Sequence, residues 1–285
     1  VMVIPSSEQR FEASEYRGRS LEDAATVSYY LKKRHMFGDL RLEVYDARGA
    51  LISAVPGAKR RGINRLAWPT RLKAPKVPPA TSLVPQAFSF YGPQVPEGTY
   101  TVKLIRGKET LASEVTLVPD PRSRQTAEDR AMQQETVHRL YRELASLTYV
   151  VDAIMDARDQ ARARAEKLGK ADALAKKLGT VADRLEALRK TLVTTREGGQ
   201  ITGEERLREK VGRLYGAVNG YEGRPTNSQL QHAEVLGAQL AEAQSSFDAI
   251  TGKDLPAINT ALESRKLEPV RPMTREEWQK KQEKS

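Results

Sequence analysis

Between Ser20 and Pro121, apolar residues recur at every second position in short runs. Leu40-Arg41-Leu42-Glu43-Val44-Tyr45 alternates cleanly and puts Leu40, Leu42 and Val44 on one face, the period of a half-buried strand. The turn Asp46-Ala47-Arg48-Gly49 and the run Ala50 to Val55 complete a predicted hairpin. Thr26 to Leu31 is β-branched and aromatic, and Gly62 to Trp68 reads as another short strand. Pro96-Glu97-Gly98 turns into Thr99 to Ile105, and Arg106-Gly107-Lys108-Glu109 turns that strand into Thr110 to Val118. Several short strands divided by Gly and Pro turns predict a β-sandwich. Within it, Lys73 to Pro96 is a Pro-rich loop whose Phe88, Phe90 and Tyr91 are open to the sandwich or to a neighbour.

Past Asp120-Pro121-Arg122 the period changes. Val137, Leu140, Leu144, Leu147, Val151, Ile154, Ala161, Ala165 and Leu168 are spaced by threes and fours, the seam of a bundle helix. Arg158 interrupts the seam and predicts looser packing there. A helix from Thr126 to Leu168 would be roughly 65 Å long at 1.5 Å per residue, ending at Gly169. A second helix carries Leu174, Leu178, Val181, Leu185, Leu188 and Leu192 and stops at Gly198-Gly199. Thr202-Gly203-Glu204-Glu205 has capping-box form and predicts a third helix with Leu207, Val211, Leu214 and Val218. Thr226-Asn227-Ser228-Gln229 opens a fourth through Ala233, Leu236, Leu240, Ala243, Phe247 and Ile250, which Pro256 should kink or interrupt. Thr274-Arg275-Glu276-Glu277 begins a short last helix, ordered only if Trp278 finds a pocket.

Composition narrows the chemistry. The chain has 285 residues, 39% of them hydrophobic and 29% charged, enough apolar mass for a core and against disorder throughout. Without Cys it can hold no disulfide, thiolate zinc site or iron–sulfur cluster, and has no Cys nucleophile. His35, His138 and His232 are too scattered for a metal cluster. No apolar run is long enough to span a membrane. The opening VMVIPSS is not a signal peptide, and a start without Met reads as a fragment, a processed product or a separate subunit. No phosphate loop, G-x-S-x-G elbow or H-E-x-x-H pair occurs. Asp152, Asp156 and Asp159 line successive turns of the first long helix, where Arg158 and Arg162 point to surface ion pairing rather than catalysis. No catalytic, cofactor-binding or metal-binding residue is therefore assigned, and no cofactor is expected. Trp68 and Tyr100 sit in strand-like alternation as core residues, which leaves little for a sugar-binding face.

Charge supplies the candidate surface. Forty-seven basic residues against 37 acidic ones give a net charge of +10. The run from Lys59 to Lys76 holds Lys59, Arg60, Arg61, Arg65, Arg71, Lys73 and Lys76 without one acid. A nucleic-acid site would place such a run beside stacking aromatics; only Trp68 lies within it, so nucleic acid is disfavoured. The run is expected to be a solvated basic loop or a contact face for another protein domain, with a nucleic-acid or acidic-surface binder as the weaker alternative.

The turn Asp46-Ala47-Arg48-Gly49, the strand Gly62-Ile63-Asn64-Arg65-Leu66-Ala67-Trp68 and the entry Pro96-Glu97-Gly98-Thr99-Tyr100 together resemble the FlgD-type Ig-like module of flagellar hook-capping and many secreted bacterial proteins. Pro69 stands where that pattern has an acidic residue. From Ala24 to Leu262 the chain is similar to a C-terminal region of secreted bacterial proteins with a sortilin-like or BNR-repeat (sialidase-type) β-propeller. The resemblance implies a multidomain all-β plus all-α chain: a linker or lead-in strand over 1–19, an Ig-like β-sandwich over 20–121, an elongated antiparallel helical bundle over 122–268, and a tail with a short helix over 269–285. It implies a non-catalytic binding and assembly module of an exported protein, periplasmic or on the cell surface, whose partner is the propeller or a subunit of a larger assembly. The alternative is an accessory module of a propeller glycoside hydrolase that contacts glycan. The propeller, and every residue an enzymatic label would rest on, lies outside this chain.

Overall fold

The computed structural model describes residues 24–79, 91–169, 171–195 and 205–283. The expected lead-in over 1–19, Phe88, Phe90, Gly198-Gly199 and Thr202 to Glu204 lie outside them. A small β-sheet region is followed by helices, and the chain divides into two compact units: 1–73 with 93–125, and 74–92 with 126–285. Residues 74–79 and 91–92 thus belong with the helices, although the sequence pattern placed this loop inside the β region.

The β unit has six described strands, β1 (Ala24–Leu31), β2 (Leu40–Tyr45), β3 (Leu51–Pro56), β4 (Gly62–Pro69), β5 (Gly98–Arg106) and β6 (Glu109–Leu117). They form a two-stranded sheet, β1-β4, and a four-stranded sheet ordered β3-β2-β5-β6, with every pairing antiparallel. Alternation decides the inward faces. Leu42 and Val44 of β2, Tyr100 and Val102 of β5, and Leu66 and Trp68 of β4 join one buried cluster with Val95. Trp68 is fully buried, and its ring meets Tyr100 edge to face at 5.3 Å, a favoured geometry for two quadrupoles.

Local chemistry explains the turn motifs. Asp46 Oδ1 accepts from the amides of Arg48 (2.9 Å) and Ala50 (2.8 Å), and Gly49 supplies the positive φ that closes the turn. Asn64 is buried because its amide donates to the carbonyls of Arg60 (2.8 Å) and Gly62 (3.1 Å), fixing the entry to β4. Tyr100 Oη donates to the Pro96 carbonyl at 2.6 Å and holds the entry to β5.

The helical unit contains α1 (Ala127–Leu168), α2 (Ala173–Leu192), α3 (Leu207–Asn219), α4 (Asn227–Ser264) and α5 (Arg275–Glu283). Reciprocal side-chain and backbone bonds cap α1 through Thr126 and Asp129, and α4 through Thr226 and Gln229. The third helix begins at Leu207, later than the Thr202 signal suggests; there Glu209 accepts from the Arg206 amide at 3.0 Å. Pro256 does not end α4, which runs through it as one helix of 38 residues. Its missing N–H leaves the Gly252 carbonyl without its usual donor, and the absent Cβ of Gly252 faces open space.

The expected seam residues of α1 from Val137 to Ala161 are all buried, but the buried stripe is wider than a seam. Thr148, Val150, Ala153 and Ala157 join it because α2, α3 and α4 all pack on this helix. Arg158 fills its seam position by pairing with Glu186 of α2 at 2.5 Å. Contacts of Arg158 with Glu186 and of Arg162 with Asp183 run α1 and α2 in opposite directions. Arg184 with Asp254 and Asp172 with Arg265 do the same for α2 and α4.

Leu185 is fully buried and Leu240 is 6% exposed in this core. Each replaced by Ala should lose about 2–5 kcal/mol of unfolding free energy, read from urea melts followed by circular dichroism. A loss below about 0.5 kcal/mol, the range of an ordinary surface substitution, would place either residue outside the core.

Candidate functional site

The seven candidate cations do not form one patch. Lys59, Arg60 and Arg61 are exposed in the turn before β4. Arg65 projects from the outer face of β4, opposite Ser28. Arg71 makes an isolated bridge with Gln94, and Lys73 follows it. Lys76 belongs to the helical unit, where its ammonium donates to the Gln282 carbonyl at 3.2 Å and to the Gln282 side chain. Contiguity in sequence was misleading because β4 carries the chain from one end of the β unit to the other.

What the fold does assemble is a different cluster. The β1 pairing sets Leu31 opposite Gly62, and the His35 amide donates to the Lys59 carbonyl at 3.1 Å. Lys32-Lys33-Arg34 therefore lies beside Lys59-Arg60-Arg61. The Gly107 amide donates to the Asp39 carbonyl at 3.1 Å, which brings Arg106 and Lys108 of the β5–β6 turn to the same end. Lys59 Nζ donates to the Gly38 carbonyl at 2.7 Å. Among the described residues of these three turns the acids are Asp39 and Glu109. Asp39 pairs with Arg41 at 3.4 Å and Glu109 with Arg106. The sequence signal for this assembly was the strand register, which joins runs more than twenty residues apart.

Apolar side chains lie beside these cations. Phe37 is 85% exposed and Met36 62%. Tyr30 and Ile63 face each other across β1 and β4 on the outer face of that sheet, 65% and 76% exposed. Tyr29, Tyr30 and Lys32 also line a cleft of about 520 Å³ with Leu104, Arg106 and Leu111.

The polar residues of α1 are structural. Asp152 accepts from the Trp278 indole at 2.8 Å, and Asp156 accepts from the Met273 amide (3.1 Å) and from Gln160 (2.9 Å). Asp159 accepts from Arg158 at 2.8 Å. The tail is fixed further by two side-chain amides. Gln160 exchanges bonds with the Arg271 backbone (2.8 and 3.0 Å), and Asn259 with that of Val270 (3.0 and 2.8 Å). Trp278 is buried and packs edge to face on Tyr149 at 6.0 Å, so it has the pocket its helix required.

His138 is half-buried, and burial, aided by Arg142, pushes its pKa below the usual value. His232 is exposed, and His35 is half-buried with no partner for its buried Nε2 among the described residues. Among the described residues no group of three His, Asp or Glu side chains is placed to hold a metal ion. No described helix is long and apolar enough to cross a membrane. Glu186 carries the clearest perturbation: hydrogen bonds from Arg189, then from Arg158, outweigh desolvation and lower its pKa to about 2.

Comparisons with protein-family models, with curated proteins and with solved structures found no match to this chain.

Two outcomes are expected from this geometry. Trp278→Ala should free the tail, so that amides of 271–283 exchange faster with solvent while those of α1 and α2 keep their protection; uniform loss of protection would instead make the tail part of the global core. For Glu186 the sign follows from its depressed folded pKa. Its stabilising contribution is complete above about pH 4.5 and is lost as pH falls towards about 2, because the unfolded chain takes up the proton first. Urea midpoints across that window should fall, and Glu186→Gln should flatten the fall.

Proposed function

We propose that this chain is a non-catalytic binding and assembly module, the C-terminal part of an exported bacterial β-propeller protein, and that it works through protein–protein contacts. In this reading the β unit is an Ig-like sandwich and the helical unit an elongated antiparallel bundle. The two sheets sharing the Trp68 cluster support the first, and the oppositely directed ion pairs of α1, α2 and α4 support the second.

The observation that carries the proposal is the outer face of the β1-β4 sheet. Its inner face spends Leu66 and Trp68 on the core, while Tyr30 and Ile63 stand opposed and uncovered on the other side with Arg65 next along β4. Adjacent large apolar side chains edged by a cation are the composition of a contact surface. Two strands also leave both sheet edges without a described neighbour, and such edges are ordinarily covered or blunted. A partner domain lying across this face would bury the Tyr30–Ile63 pair. Of the α1 carboxylates, Asp152 and Asp156 are already engaged in holding the tail and Asp159 is paired with Arg158.

A photocrosslinking residue at position 63 of the parent-length protein tests this. Crosslinks to peptides of a propeller domain, lost when Tyr30→Asp displaces the partner, are expected. Absence of any protein crosslink, together with glycan-array binding abolished by Tyr30→Ala, would replace the assembly role by the accessory glycan-binding one.

A further inference from the structure

We propose that the end of the β unit formed by residues 32–39, 57–61 and 106–109 docks on an anionic lipid bilayer, with Met36 and Phe37 entering the headgroup region. The inference does not depend on the assembly role, which uses the outer face of β1-β4.

Three turns meet here, and the exposed side chains they carry are Lys32, Lys33, Arg34, Lys59, Arg60, Arg61, Arg106 and Lys108. The two acids among them are already paired, Asp39 with Arg41 and Glu109 with Arg106. Neither is free to neutralise the rest. The positive field at this end is therefore spread over three turns, and it complements an anionic partner whose charge is likewise spread over an area.

The apolar residues decide which anion. Phe37 is 85% exposed and Met36 62%, neighbours in one turn between the cations of 32–34 and Gly38, whose φ of +83° closes it. A bilayer accepts a projecting apolar turn without any complementary pocket, and it presents phosphates around the point of entry. Single-stranded nucleic acid would instead need a basic groove with rings stacked along it, whereas Phe37 stands on a projecting turn. A protein would have to supply an apolar pocket ringed by acids to satisfy the same residues. Within the β unit, β4 ends at Pro69, β5 begins at Gly98 and β6 ends at Leu117, all at the opposite end of the sheets. Basic residues with inserted apolar ones make the two-signal combination that stable peripheral binding needs.

The experiment is co-sedimentation of the whole chain with extruded vesicles, of phosphatidylcholine alone or with phosphatidylglycerol added, at low salt and at about 0.15 M, where charges are screened beyond about 8 Å. Binding is expected only with phosphatidylglycerol and should weaken as salt rises. The triple substitution Lys32→Ser, Lys33→Ser, Arg34→Ser should reduce affinity by more than about tenfold, and Phe37→Ser should reduce it while circular dichroism stays unchanged. Phe37→Trp should preserve binding and shift its emission to the blue on the anionic vesicles. No sedimentation with phosphatidylglycerol, or equal binding to both vesicle types, would overturn the proposal. So would heparin or duplex DNA binding as tight as vesicle binding together with indifference to Phe37→Ser, which would make this end a general polyanion site.

Discussion

The burial of α1 governs the helical unit. Twelve of its side chains are buried, from Thr136 to Ala161, and no single neighbour could cover so broad a stripe. Three helices do so. Ala153, Ala157 and Ala161 lie four apart and leave a shallow surface on one side, where a neighbouring backbone can come close. At the other end Gly237 of α4 does the same: a Cβ there would stand 2.9 Å from both Arg139 Nη2 and Glu143 Oε1. The close approach has an electrostatic consequence. Burial pushes the Glu143 carboxyl above its usual pKa even though Arg139 bonds to it, because the helix contact takes water away from the charged form.

Packing around so long a helix also determines how the remaining chain is held. The tail has few large apolar residues besides Val270 and Trp278, and hydrogen bonding does much of the rest. Asp152, Asp156 and Gln160 lie on the successive turns of α1 that the tail crosses. The 74–92 insertion is fastened in the same manner at its described ends. Thr148 Oγ1 donates to the Lys76 carbonyl at 2.9 Å, and the buried Tyr215 donates through Oη to the Tyr91 carbonyl at 2.7 Å. Val77 packs on the helical core beside the first of these bonds. Irregular backbone laid on a helix must satisfy its own polar groups, and side chains of α1 and α3 supply partners for it.

How much of this was legible in the sequence depended on whether the signal was local. Periodicity named Leu40, Leu42 and Val44 as one buried face, the seams of α1 and α4, and the capping boxes at Thr226 and Thr274, because each is set by spacing along one element. At Pro256 the interruption allowed by the sequence does not occur, and the expected continuation through Leu255, Ile258 and Leu262 does. The rule concerns one missing N–H and one displaced carbonyl, while Leu255, Ile258 and Leu262 bury the residues on either side and keep the helix intact. The placement of Lys76 and Tyr91 was not readable, since it rests on Thr148 and Tyr215, which lie far along the chain. The surface ion pairing expected of the acidic trio of α1 holds for one member only. Asp159 pairs with Arg158, and the tail that engages the other two is more than 110 residues away.

The same distinction governs the basic residues. Along the sequence, Lys59 to Lys76 looks like one cluster and Lys32 to Arg34 like another. Antiparallel pairing separates the members of the first and adds the second to three of them. A strand of eight residues such as β4 carries its ends about 23 Å apart at 3.3 Å per step, well beyond the screening distance of physiological salt. Arg60 and Lys73 therefore cannot act on one small partner, while Arg34 and Arg60 can. Gathering like charges in three adjoining turns opposes folding through their mutual repulsion, a cost reduced by exposure but not removed by the two acids present. Asp39 and Glu109 each face an arginine of their own hairpin, so they orient the turns and leave the field of the remaining cations largely intact. Charge of that kind is compensated most directly by a surface that meets all three turns at once.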